Sequence, residues 1–167
     1  MVSKILTTHV GSLPRSKQLS EYLFAKDKGE KIDKEKFENI LISNVDQIVK
    51  RQLEVGIDFI SDGEMSKISY ATYIKDRIDG FSGESERRAP ADLDDFPEYK
   101  EKIANSGGTP TYSRPCCTKE LKIKDENSLL NDINNFNKSL KKSNHTKAFM
   151  NAASPGVINV FMPNKFY

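Results

Sequence analysis

The sequence predicts an α/β protein built on a parallel sheet, and three observations carry that expectation. Short β-branched runs alternate with segments of helical spacing, each run passes into a loop marked by glycine or proline, and the polar motifs sit on those loops. In parallel sheets the ligand-binding loops gather at the carboxyl ends of the strands, so the motifs are expected to share one rim.

The first strand is expected at Ile5–Thr8, followed by the loop "GSLPRS". A short helix follows from Lys17 to Lys26, with Leu19, Tyr22 and Leu23 on one side and "KGEK" closing it. The strongest helix begins after Asp33, a good N-cap, with Glu35 in the first turn where a carboxylate favours the positive end of the helix dipole. Phe37, Ile40, Leu41, Val45, Ile48, Val49 and Leu53 then recur at helical spacing until Gly56 offers a left-handed stop.

"IDFIS" reads as a second, buried strand ending in Asp62, Gly63 and Glu64. Ser66–Arg77 is expected to be a helix, and "GFSGESERRAPADLDDFPEYK" a polar excursion over the surface. A third strand falls within "YSRPCCTKELKI", where Pro115 restricts ladder pairing. Leu129, Ile133, Phe136 and Leu140 mark a further helix after Asp125. "TKAFMNAASPGVINVF" then supplies a fourth strand, a Ser-Pro-Gly loop and an apolar tail.

With 167 residues the chain is read as one domain, 1–167. Hydrophobic residues make up 37% and charged residues 30%, and 26 basic side chains are intermixed with 24 acidic ones, so no sustained basic face is offered to a phosphate backbone and nucleic acid is not an expected partner. No stretch approaches the roughly 18 apolar residues of a bilayer span, and the N-terminus lacks a signal-peptide apolar core. The expectation is a cytoplasmic protein without a membrane partner. Cys116 and Cys117 are adjacent, which suits free thiols better than a structural disulfide.

Taken together and in order, "TTHVGSLPR", "GIDFISDGE", "SRPCC" and "AASPGVINVF" resemble the barrel of the cobalamin-independent methionine synthase family in its short form. The resemblance spans Ile5 to Tyr167. It implies a partial (β/α)8 TIM barrel, about four strand–helix units of the first half, and a zinc-dependent transfer of a methyl group to a thiol such as homocysteine. By position, Val10, Gly11 and Ser12 match the family's substrate-binding loop, where a glycine admits the backbone and loop amides with the Ser12 hydroxyl can hold a carboxylate. Glu64 matches the carboxylate that pairs with the substrate ammonium. Arg114 and Cys116 correspond to the region that holds the methylated folate, although Pro115 intervenes where the family has Arg directly before Cys. Phe161 falls near a position where a ring stacks on the pterin.

Each residue also has a plainer reading: a turn at Gly11–Pro14, a helix-capping or solvated acid at Glu64, an ion-pairing Arg114, a core Phe161. His9 reads as a satisfied histidine near the barrel mouth and His145 as a helix-end surface residue. In the family, zinc is held by His, Cys and Glu side chains of the second half of the barrel, so no zinc site and no catalytic residue is expected within these residues, and the chain alone is expected not to make methionine. The leading expectation is therefore a fragment or split subunit that carries part of the substrate site, completed by a second chain or by self-association. The methyl donor would be 5-methyltetrahydrofolate or a substitute for it. The alternative is a non-catalytic, oligomeric half-barrel that binds an amino acid or thiol, and a third reading keeps the barrel but acts on coenzyme M or a porphyrin.

Overall fold

A computed structural model describes residues 4–85, 91–105 and 113–167. Its frame is a pair of long helices. Helix α2 (Lys34–Glu54) starts where the Asp33 carboxylate accepts the Lys36 backbone N–H at 3.0 Å, and ends before Gly56, whose φ of 80° few other residues adopt without strain. Helix α1 (Lys17–Asp27) is capped in the same way by Ser16, whose hydroxyl accepts from the Leu19 N–H. The two are pinned by Asn44 of α2, which accepts the Ser16 backbone N–H at 3.0 Å while donating to the Ile40 carbonyl.

Strand β1 (Ile60–Ser61) lies against α2 through Gln52, a buried amide that donates to the Ser61 carbonyl at 2.8 Å and accepts the Ser61 N–H at 3.1 Å. Both backbone groups of one strand residue are thus satisfied by one side chain. Leu19 and Leu23 of α1, Leu41, Val45 and Val49 of α2, Ile60, Met65, and Phe136 and Leu140 of a later helix close one buried core. Every apolar position expected on the inner face of α2 packs in or against this core.

The parallel sheet is smaller than expected. The Ile5–Thr8 segment contributes a single parallel bridge, Thr8 to Phe59, supported by Asp58 and Phe59 N–H groups donating to the Thr7 carbonyl. On the other side β1 pairs in parallel with β4 (Ala148–Phe149), in the register Ile60 with Ala148 and Ser61 with Phe149. Among the described residues the order is therefore the Thr8 segment, β1, β4, three parallel pieces where four were expected.

The strand expected around Cys116 belongs to a different unit. Strands β2 (Ile78–Ser82) and β3 (Cys116–Ile123) form an antiparallel ladder that pairs Ile78 with Ile123 and Ser82 with Cys116. The register slips at Gly80, which has φ 108° and whose position a Cβ would fill to within 2.9 Å of the Lys119 and Glu120 carbonyls. A glycine bulge interrupts the alternation by which a strand is read from sequence. Part of the expected polar excursion is thus strand. Its later part forms a 3-10 turn at Ala91–Asp95 and helix α3 (Pro97–Asn105), while residues 86–90 lie outside the described residues, as does Tyr112 of the expected third strand.

Two further expectations are corrected. Ser66–Arg77 is not a helix: after a turn it holds only a 3-10 stretch, Thr72–Asp76, because the Ser69 hydroxyl accepts the Ala71 and Thr72 N–H groups and offers the backbone a competing turn. The Ser-Pro-Gly segment is not simply a loop. Ser154 caps helix α5 (Pro155–Phe161) by accepting the Val157 N–H, with Pro155 in the first turn where its missing N–H costs nothing. Helix α4 (Asn127–Lys142) forms as its spacing predicts and packs on α2, with Asn135 donating to Glu38 at 2.7 Å.

Candidate functional site

Three loops meet at the carboxyl ends of the parallel pieces: Val10–Ser12 after the Thr8 segment, Asp62–Glu64 after β1, and Asn151–Ser154 after β4. Between them lies an open cleft of about 370 Å³, lined by Val10, Gly11, Ser12, Glu64, Tyr70 and the Asn151–Ser154 segment. The fourth expected rim motif, Arg114–Cys117, leads into and opens β3 of the antiparallel hairpin.

The Ser12 hydroxyl donates to Glu64 Oε2 at 2.5 Å. Ser12 is exposed, whereas Glu64 is only 3% exposed. Glu64 also has φ 56°, a left-handed conformation that a non-glycine residue adopts only when its surroundings impose it. Those surroundings are identifiable. Gly63 before it also has positive φ and accepts the Leu13 N–H at its carbonyl, and Arg15 Nη2 donates to the carbonyls of Glu64 (2.8 Å) and Lys67 (2.7 Å). The "GSLPR" loop is thereby laced to the "DGE" loop through backbone and guanidinium.

The electrostatics are concentrated beneath the cleft. Burial raises the Asp62 carboxyl above its ordinary value, against the pull of the Lys67 charge and of the Glu64 N–H that donates to Asp62 Oδ1 at 3.3 Å. Burial likewise lowers the Arg15 guanidinium, opposed by the Glu64 and Asp62 charges, and it remains a cation. Burial raises the Tyr73 hydroxyl above its ordinary value.

Arg114 and Phe161 come together: the guanidinium lies 4.9 Å from the Phe161 ring centroid. Phe161 in turn meets Tyr70 edge-to-face at 5.1 Å, and Tyr70 lines the cleft. An aromatic and cationic flank therefore runs from α5 to the Ser12–Glu64 pair. Cys116 is not part of it, being buried on the β2–β3 ladder opposite Ser82. Sequence reading missed Arg15, Lys67, Tyr70 and Tyr73; Arg15 stands inside the quoted motif, and Lys67 lies three residues after Glu64, at the start of the segment expected to be helical.

For a metal, the described residues do not fit: no group of three or more His, Cys, Asp or Glu side chains converges among them. Cys116 and Cys117 follow one another on a strand, where neighbours face opposite sides. Nor is any helix among the described residues long and apolar enough to cross a membrane.

A parallel α/β sheet with a buried carboxylate and a serine on adjoining strand-end loops defines a small-molecule site of the kind such sheets present. Residues 5–89 match the family described as cobalamin-independent synthase, catalytic domain, and the chain belongs to that family. It is 29% identical over 161 residues to a methionine synthase of Sulfolobus acidocaldarius, a match covering 96% of this chain and 41% of that relative. It is also 29% identical over 75 residues to a 5-methyltetrahydropteroyltriglutamate–homocysteine methyltransferase of Bifidobacterium longum subsp. infantis, covering 45% of this chain and 10% of that relative. A solved B12-independent methionine synthase from Shewanella sp. W3-18-1, in complex with selenomethionine, superposes with a TM-score of 0.63 at 16% identity, over 96% of this chain and 41% of that one. That likeness shows a shared fold. The chain thus spans well under half the length of these relatives.

Proposed function

We propose that the cleft between Ser12 and Glu64 holds the amino-acid end of a thiol substrate such as homocysteine, and that the chain contributes this wall to a methyl-transfer site. The observation that carries the reading is the Glu64 carboxylate, buried in the cleft floor yet bonded to a hydroxyl on the opposite loop. A substrate ammonium would bind Glu64 by a charge-assisted hydrogen bond, about twice the strength of a neutral one. Gly11, at φ 97° and with open space where a Cβ would stand, leaves room for the substrate carboxylate to approach the loop backbone beside Val10 and Ser12.

Family membership and the relative named a homocysteine methyltransferase support methyl transfer as the reaction class and homocysteine as the acceptor. The Arg114–Phe161–Tyr70 flank is the side from which a flat, anionic donor such as 5-methyltetrahydrofolate would approach, its ring against the aromatics and its charge near the guanidinium. Cys116, buried opposite Ser82 on the β2–β3 ladder, does not line the cleft. The residues of this chain contribute binding and orientation.

The parallel order Thr8 segment, β1, β4 supports reading the chain as the opening part of a (β/α)8 barrel whose remaining strands come from another segment or a second chain. Calorimetric titration with L-methionine and with its analogue lacking the amino group tests the substrate reading. Binding of the first with at least tenfold loss for the second supports it; equal binding of both, or of neither, overturns it.

A further inference from the structure

Lys67 is only 3% exposed, and such a buried ammonium persists only when its charge and its donors are matched. Its Nζ donates to the Asn151 carbonyl, lies 4.9 Å from the Tyr73 ring centroid, and is attracted to the Asp62 carboxylate. Its own carbonyl accepts from Arg15. Lys67 therefore stands on the same loop as Glu64, three residues on, and reaches across to the loop after β4. The segment so held, Asn151–Ser154, is the wall of the cleft that faces Glu64. No other contact of comparable charge ties that wall to the Glu64 loop among the described residues.

We propose that Lys67 is a positioning residue: by holding the Asn151 carbonyl from the loop that carries Glu64, it fixes the Asn151–Ser154 wall relative to the Glu64 carboxylate and thereby sets the affinity of the cleft for an amino acid. The peptide plane makes the constraint effective, since a fixed Asn151 carbonyl also fixes the direction of the Ala152 N–H in the same rigid unit. Because the clamp is a point charge on a flexible stem, arginine can supply the charge and methionine only the volume. The affinity part of the inference rests on the amino-acid reading of the cleft; the clamp itself does not.

Two readouts keep these apart. Amide hydrogen exchange at Ala152 and Ala153 is measured in the wild type, Lys67→Met and Lys67→Arg, together with titration by L-methionine. The expected result is exchange at least tenfold faster in Lys67→Met, with partial recovery in Lys67→Arg, and at least tenfold weaker binding in the same order. Unchanged exchange in a folded Lys67→Met variant overturns the clamp, and unchanged affinity beside faster exchange overturns its role in binding. A wild type that binds no amino acid defeats the substrate reading and the affinity claim with it, while exchange still decides the clamp. Should Lys67→Met fail to fold, the wild type alone decides by the 15Nζ resonance of Lys67. A signal protected from solvent and distinct from the surface lysines supports the clamp; one averaged with them overturns it.

Discussion

Ser12 and Glu64, 52 positions apart, meet in a hydrogen bond of 2.5 Å that closes one end of the cleft. The hydroxyl turns one carboxylate oxygen toward the Ser12 loop and so orients the other for a cation. Replacing Ser12 with alanine removes that donor without burying a new group, since position 12 is exposed. A bond of this kind contributes about 1 kcal/mol net, so Ser12→Ala is expected to weaken L-methionine binding by roughly fivefold in calorimetry and, because it leaves the buried Glu64 carboxylate short of a donor, to lower the melting temperature by about 2–4 °C.

Gly63 carries the conformational load of the same loop. A Cβ there would come within 2.9 Å of Met65 Cε and 3.0 Å of Leu13 Cβ, at a φ of 62° that side chains disfavour. Gly63→Ala is expected to cost about 1–3 kcal/mol and to lower the melting temperature by about 2–10 °C. A variant that melts with the wild type would show that the loop is not strained as described.

The link between α2 and β1 is tested at Gln52. Changing it to leucine keeps the volume and leaves the buried Ser61 N–H and carbonyl without their side-chain partner. Each unsatisfied buried group costs about 1–3 kcal/mol, so Gln52→Leu should destabilise by at least about 2 kcal/mol in urea denaturation.

Asp62 gives a pH signature. Its folded-state carboxyl is raised by burial, so between the ordinary carboxylate range and that raised value the native state binds more protons than the unfolded one. The contribution of Asp62 is therefore full below the unfolded value and is lost as pH rises through the folded one. Asp62→Asn, which keeps the Oδ1 acceptor for the Glu64 N–H, should flatten that decline in melting temperature across the window. Asp58 acts in the opposite sense. Its hydrogen bonds from Lys4 and Thr7 lower its carboxyl to about 2, so its contribution is present above the ordinary value and is lost as pH falls toward 2. Asp58→Asn should remove that acid-side loss.

The helical part of the fold was legible because α1, α2 and α4 carry apolar residues at helical spacing, reinforced in α2 by the Asp33 cap that the structure uses. Val10–Ser12 and Glu64 were legible as loops at strand ends, although the strands themselves are two residues long or a single bridge, whereas the loop after the last strand was expected at Ser154–Gly156 and the cleft is lined instead by Asn151–Ser154. The hairpin was not, because Gly80 shifts its register and β3 follows a proline, so it read as surface excursion and then as a barrel strand. Ser154-Pro155-Gly156 suits a turn and a helix start equally, and only the bond to Val157 decides between them. Lys67 carries no pattern at all; its role arises from a contact with a loop some eighty residues away.

The most direct measurement is the dissociation constant of L-methionine for the wild type and for Glu64→Gln, which keeps the acceptor from Ser12 and removes only the charge. Binding weakened at least tenfold in Glu64→Gln, with the fold retained, is the predicted result; an unchanged constant would mean that this carboxylate does not hold the ammonium and that the site lies elsewhere.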